Sequence, residues 1–148
     1  MNVRVATSGD LQVWVRLRGA LWNDTSDKRH AVEAEDILAA SPDSAIAFLA
    51  FTATGEPCGF AEATMRSDHV NGCDSSPVAF LEGIYVQPEH RAALIGQALL
   101  DAVEAWARAQ GSAELGSDAD IDNLASHGFH IATGFEETQR TVFFRKRL

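Results

Sequence analysis

The sequence predicts an α/β domain, with a mixed central β-sheet flanked by about four helices. Three observations carry this. Strand-length apolar runs and segments of helical period follow one another along the whole chain. Glycine, proline, serine and aspartate cluster in the short stretches between them. The 148 residues, 46% hydrophobic and 22% charged, suit a single domain over 1–148 with one core rather than a disordered chain.

The predicted order is βααβββαβαβ. Residues 3–6 (VRVA) form a short strand. Thr7 with Asp10 resembles a capping box, aspartate standing for the usual glutamate. Leu11, Trp14, Leu17 and Leu21 then recur at helical spacing, and this helix ends near Trp22. A second helix over 30–40 is closed by Ser41-Pro42, because the residue before proline avoids the helical region. Residues 45–53 run to a turn at 54–57, and 58–66 return as a hairpin. A polar loop, 67–77, precedes VAFLEGIYV (78–86), the most strand-like run. Residues 94–109 form the clearest helix, with Leu94, Ile95, Ala98, Leu99, Ala102, Val103 and Trp106 on one face. Gly111 stops it. A short strand at 113–117, a helix at 122–132 ended by Gly134, and a last strand over 138–148 complete the order.

Charge narrows the function classes. A net charge of −9 and a pI near 4.9 argue against nucleic acid and anionic membranes, whose binding needs a basic surface. They permit a cationic partner. The longest apolar stretch, 45–51, is too short to cross a bilayer, and MNVRVATSGD has no apolar signal region. Cys58 and Cys73 make no disulfide framework. A reduced, cytoplasmic protein is expected. His127 and His130 share a helix face without further ligands, so no metal site is expected.

Two features point to chemistry. In PEHRAALIGQALL (88–100), a strand ends in a polar loop that opens into a helix. A helix N-terminus presents unsatisfied amides and partial positive charge. With Arg91 beside it, such a loop holds pyrophosphate, or is an ordinary connection with an exposed arginine. The second feature is Glu82, the one charged residue inside VAFLEGIYV. By alternation it shares a face with Phe80, Ile84 and Val86. An unpartnered carboxylate there costs about 2–7 kcal/mol. It must be paired, protonated, or lining a wet cleft. Gly83 beside it suggests a bulge or a close backbone approach.

These residues resemble a known family. The pattern Val86-x-Pro88-Glu89-x-Arg91-x-x-x-x-Gly96-x-Ala98-Leu99 is similar to the acetyl-CoA site of the GCN5-related N-acetyltransferases (GNAT). Asn123…Phe129-His130-x-x-x-Gly134-Phe135 is similar to that superfamily's penultimate helix and following turn. Within it, LW (21–22), GFAEA (59–63), VNGCDSSPVAFLEGIYV (70–86), SD (117–118), GFEET (134–138) and FFRKRL resemble the aminoglycoside 6′-N-acetyltransferases over nearly the full length.

The resemblance implies a GNAT fold and acetyl transfer from acetyl-CoA to a 6′-amino group of an aminoglycoside, by direct attack in a ternary complex, with resistance as the outcome. It implies that the pyrophosphate meets backbone amides around Arg91, Ala92, Ala93, Leu94, Ile95, Gly96 and Gln97. The acetyl carbonyl meets a main-chain N–H near Ile84, Tyr85 or Val86, a donor worth a few kcal/mol to an oxyanion. Asn123 and His130 complete the cofactor site. Trp22, His69, Asp74, Glu82, Asp118 and Glu136 line the antibiotic pocket. Asp118 and Glu82 are the pair that orients and deprotonates the amine, either one being the base. His130 stands where many relatives carry the tyrosine that protonates the leaving thiolate, and His69 where close relatives often have tyrosine. Leu94 replaces the loop's inner glycine. Its expected φ is negative, with the side chain turned away from CoA. The family's homodimers suggest one here, with the 138–148 strand at or across the interface. Rival readings are an N-acetyltransferase for another polyamine or protein amine, and a non-catalytic acyl-CoA-binding domain.

Overall fold

A computed structural model describes residues 1–148, except for the side chains of Ala92 and Ala93. Five strands form in chain order: β1 (Asn2–Val5), β2 (Ala45–Phe51), β3 (Pro57–Arg66), β4 (Val78–Val86) and β5 (Leu115–Ser117). Four α-helices accompany them: α1 (Leu11–Leu21), α2 (Asp27–Ala39), α3 (Ile95–Ala109) and α4 (Leu124–Ala132). Short 3₁₀ turns span Ser8–Asp10 and Pro88–Ala93. The strands lie in the order β1-β2-β3-β4-β5. Neighbours are antiparallel except β4 and β5, which run parallel. The sheet is therefore mixed, as expected.

One core layer lies on each face. On one side, Trp14 and Leu17 of α1 and Ala34 of α2 meet Leu49 and Phe60. On the other, Ile95, Leu99, Leu100 and Val103 of α3 meet Ala50, Cys58 and Ala61. The i, i+4, i+8 spacing of 95, 99 and 103 puts those residues on one helix stripe. Burying each stabilises by about 1.5–3 kcal/mol. At the amino end, the Asp10 carboxylate accepts from the Thr7 N–H (2.8 Å) and hydroxyl (3.0 Å), so the reach-back predicted for this pair is made.

The last predicted strand does not form. Residues 138–148 make no ladder, and Val142, Phe143, Phe144 and Leu148 are all exposed, the two phenylalanines at 91% and 92%. The composition favours extended backbone, but a strand also needs a partner edge, which propensity cannot supply. At the end of β4, the predicted loop is instead a 3₁₀ turn, and α3 begins at Ile95 rather than Leu94.

Candidate active site

The site is organised by an irregularity in β4. Glu62 pairs with Gly83 and the next residue, Ala63, with Leu81, so Glu82 is an extra residue on β4. Such a bulge shifts the side-chain period by one. Leu81, Ile84 and Val86 consequently join the α3-side core, while Phe80 packs with Val70 and Val78. The expectation that Glu82 shares a face with Phe80, Ile84 and Val86 is thereby corrected. The bulge itself is what Gly83 suggested. A Cβ on Gly83 would stand 2.5 Å from Cζ2 and Cη2 of Trp22, so glycine lets the indole rest directly on the strand.

Glu82 is paired rather than isolated. One carboxylate oxygen, Oε1, accepts from the Thr64 hydroxyl (2.6 Å) and from Nε (3.1 Å) and Nη2 (3.0 Å) of Arg66. The other, Oε2, accepts from Nη2 (2.8 Å). Its side chain keeps 30% of its exposure, so the pair borders solvent.

Beside the bulge, β4 loses its parallel neighbour. β5 pairs only with Ala79, Phe80 and Leu81 and stops at Ser117, opposite Leu81. From Glu82 to Val86, β4 stays bonded to β3 on one side and meets no strand on the other. Ile84, Tyr85 and Val86 thus border an open edge with unclaimed ladder positions. Asp118 follows Ser117 and is exposed. Ser117, just before Asp118, pairs with Leu81, just before Glu82, so the ladder ends where these two acids begin.

The open edge leads into the 88–100 segment. Arg91 folds back: its Nε donates to the Val86 carbonyl (2.9 Å), and its guanidinium lies 5.7 Å from the Tyr85 ring centroid. Leu94 has φ 59° and ψ 20°, the left-handed conformation, which overturns the expected negative φ. The chain must turn from the 3₁₀ segment into α3 within one residue, and that junction takes the strain. Leucine there costs about 1–2 kcal/mol. Its side chain is 74% exposed. It also supplies no side-chain cap, so it leaves the opening amides of α3, at Ile95, Gly96 and Gln97, without one. Ile95 buries its side chain in the core, and Gln97 donates to Asp101 (2.8 Å). Gly96 permits close packing, since a Cβ would meet Phe129 of α4 at 3.0 Å. The side chains of Ala92 and Ala93, two residues of the predicted pyrophosphate loop, lie outside the described residues.

α4 stands on the far side. Asn123 is its N-cap and accepts from the Ser126 N–H (3.1 Å). His130 is half-buried with both ring nitrogens engaged: Nδ1–H donates to the Ser126 carbonyl (2.7 Å), and Nε2 accepts from the Ser117 hydroxyl (2.7 Å). The fold therefore joins α4 to the end of β5, one residue from Asp118. His69, Asp74 and Glu136 are exposed. Asp74 sits in a loop gripped by Glu114, whose carboxylate accepts from the N–H groups of Asp74 (3.0 Å) and Ser75 (2.7 Å). Those bonds, chiefly the ones from Ser75, hold the Glu114 carboxyl below its ordinary value. A cavity of about 310 Å³ between this loop, β5 and residues 133–138 touches Cys73, Ser117 and Glu136. A larger groove, about 940 Å³, lies between α1 and α2 and touches none of the predicted site residues. It is an open cleft between helices, and the polar groups that could do chemistry are elsewhere.

Sequence reasoning missed a buried polar network beneath Trp22. Arg18 and Glu62, both 3% exposed, form an ion pair. The Glu62 carboxylate also accepts from Trp14 Nε1 (2.8 Å), and Arg18 reaches Glu33. Nε of Arg18 donates to Nδ1 of the fully buried His30 (3.3 Å), whose Nε2–H donates to the Trp22 carbonyl (3.0 Å). Burial pushes the Glu62 carboxyl up, against the opposing pull of Arg18 and Trp14. Trp22 is half-buried above the network, with the Arg18 guanidinium 4.8 Å from its ring centroid and Phe60 edge-on at 5.8 Å. The signal was present: Arg18 lies four residues after Trp14 on the apolar stripe of α1, and Glu62 is the lone acid in GFAEATM.

An open strand edge, a tight turn into a helix and carboxylates at the mouth define a GNAT-type acyl-CoA site. Residues 14–135 match the model of the acetyltransferase (GNAT) family, and the chain belongs to that family. Its relatives place it in the aminoglycoside 6′-N-acetyltransferase branch. It is 46% identical to the aminoglycoside N(6′)-acetyltransferase type 1 of Stenotrophomonas maltophilia, over 99% of this chain and 94% of that protein. It is 44% identical to the protein of the same name from Salmonella enteritidis, over 99% of each. Among solved structures, AAC(6′)-Iy in complex with the bisubstrate analogue CoA-S-monomethyl-acetylneamine superposes with a TM-score of 0.92 at 42% identity, covering 99% of this chain and 98% of that one. The apo 6′-N-acetyltransferase AAC(6′)-Ig of Acinetobacter haemolyticus gives 0.93 at 38% identity, covering 100% and 99%.

Proposed function

We propose that this enzyme transfers the acetyl group of acetyl-CoA to the 6′-amino group of aminoglycosides, and so confers resistance to them. The observation that carries this reading is the uncovered β4 edge from Glu82 to Val86. It continues through the 88–93 turn into the uncapped amides of α3, with Glu82 and Asp118 at its mouth. Main-chain N–H groups of Ile84 to Val86 orient the acetyl carbonyl and meet the charge that develops on its oxygen. The amides at 94–97 and Arg91 hold the pyrophosphate. Trp22 walls the pocket, and Glu82, Asp118, Asp74 and Glu136 receive the drug's ammonium groups. His69 borders the same pocket.

The amine nitrogen attacks the thioester carbon, its proton passes to Asp118 or Glu82, directly or through water, and the C–S bond breaks. His130 is read as a positioning residue, its ring held by the Ser126 carbonyl at Nδ1 and by the Ser117 hydroxyl at Nε2. Water protonates the thiolate, while His130 and Ser117 tie α4 to the site.

The protein acts in the cytoplasm as a homodimer. Among the described residues, no helix is long and apolar enough to cross a membrane. Residues 138–148, with Phe143 and Phe144 in water, gain cover by adding a strand to a second copy. The test is thiol release from acetyl-CoA with a panel of amines. Turnover with drugs bearing a 6′-amino group, and none with the 6′-hydroxyl counterparts, is expected. Turnover only with polyamines or peptides refutes the substrate assignment, and tight CoA binding without turnover refutes the activity. Light scattering at the mass of one chain refutes the dimer.

A further inference from the structure

Glu82 is heavily engaged before any substrate arrives. A carboxylate offers about four acceptor positions. Three donor contacts crowd Oε1 here, one from Thr64 and two from Arg66, and one more from Arg66 falls on Oε2. Arg66 is the last residue of β3, and its guanidinium lies 3.6 Å from the Phe80 ring centroid. It is therefore a cation that presents a planar fork to the carboxylate and rests on an aromatic face. A second cation approaching Glu82 finds a single lone pair open, on Oε2, and meets a like charge.

The Arg66 side chain is 42% exposed and that of Glu82 30%. A pair this open to water is screened by salt, and the arginine has solvent to move into. The pair is sound enough to be made and loose enough to be opened.

We infer that Arg66 is an internal competitor for the ammonium site at Glu82, so that it sets the enzyme's selectivity among amines. A polycation supplies enough charge to displace Arg66 from Glu82, whereas a monoamine does not. On this reading Arg66 touches the substrate's position only through Glu82. The inference rests on the assignment of Glu82 to substrate binding made above.

Steady-state thiol release at saturating acetyl-CoA tests it, varying a 6′-amino aminoglycoside and, separately, a simple monoamine. Arg66→Met keeps an apolar stem on Phe80 but removes the competing charge. It is expected to lower the drug KM about two- to fivefold, the scale of an exposed ion pair, and to lower the monoamine KM by a larger factor. Arg66→Lys, which lacks the planar fork, should fall between the wild type and Arg66→Met. Glu82→Gln should raise the drug KM, and Arg66→Met added to Glu82→Gln should then change nothing. Circular dichroism and thermal melts establish that each variant is folded. A higher or unchanged drug KM in both Arg66 variants overturns the inference, because a merely structural arginine gives that result. If Glu82→Gln raises KM while the Arg66 variants do not lower it, the site assignment stands and the competitor does not. If Glu82→Gln leaves KM unchanged, both fall.

Discussion

Leu94 offers the sharpest test of the local backbone. Its φ of 59° and ψ of 20° put a residue with a Cβ in the left-handed region. The penalty is about 1–2 kcal/mol for any such residue. Glycine escapes it but brings extra freedom to the unfolded chain, worth about 0.4–1 kcal/mol. The comparison that isolates the conformation is Leu94→Gly against Leu94→Ala. Both lose the same side-chain contacts, which are few because Leu94 is 74% exposed. At an ordinary helical position glycine is less stable than alanine by about 1 kcal/mol. At Leu94 the order should invert, with glycine ahead by about 0.5–1 kcal/mol. That is a rise of roughly 2–4 °C in Tm per kcal/mol in a chain near this size. Urea denaturation reads the same difference as a shifted midpoint at constant slope. If alanine equals or exceeds glycine, Leu94 is not left-handed in solution. The turn into α3 is then built differently.

Three other substitutions probe the surroundings. Gly83→Ala drives a methyl group to 2.5 Å from the Trp22 ring; we expect a loss of about 1–3 kcal/mol by urea denaturation, with a changed near-UV spectrum, and unchanged values would show that the indole does not rest on β4. Arg18→Met strands the Glu62 carboxylate in the core, which should cost about 3–5 kcal/mol, part of it recovered when Glu62→Gln is added; equal stability of the single and double variants would contradict the network. Asp10 is held well below the usual carboxylate range, first by its bond to Arg4, against the opposing effect of burial. Its folded pKa is depressed, so its contribution is complete above the unfolded value, about 4, and is lost as pH falls towards the folded one. Asp10→Asn should therefore cost about 1 kcal/mol at pH 7 and progressively less below pH 4, measured as urea midpoints across that range. A cost that stays constant with pH refutes the charge-based account.

Much of this protein was written locally. Period-3.6 stripes specified α1 and α3, and the punctuation by Ser41-Pro42, Gly111 and Gly134 set boundaries close to those observed. VAFLEGIYV fixed β4 to the residue, and the motifs along it were enough to identify the family. These features depend on neighbours three or four positions apart, which a sequence displays directly. Tertiary structure decided what distant segments do to one another. The bulge at Glu82 arises from how β3 and β4 register, so it reversed the face that alternation assigned to Ile84 and Val86. The partners of Glu82 come from the end of β3, sixteen and eighteen positions away in the chain. Glu62 and Arg18, forty-four positions apart, pair only because α1 lies across the sheet. The left-handed turn at Leu94 was imposed by joining β4 to α3 against leucine's own preference. Residues 138–148 carried every local mark of a strand, and yet a strand exists only where another edge receives it.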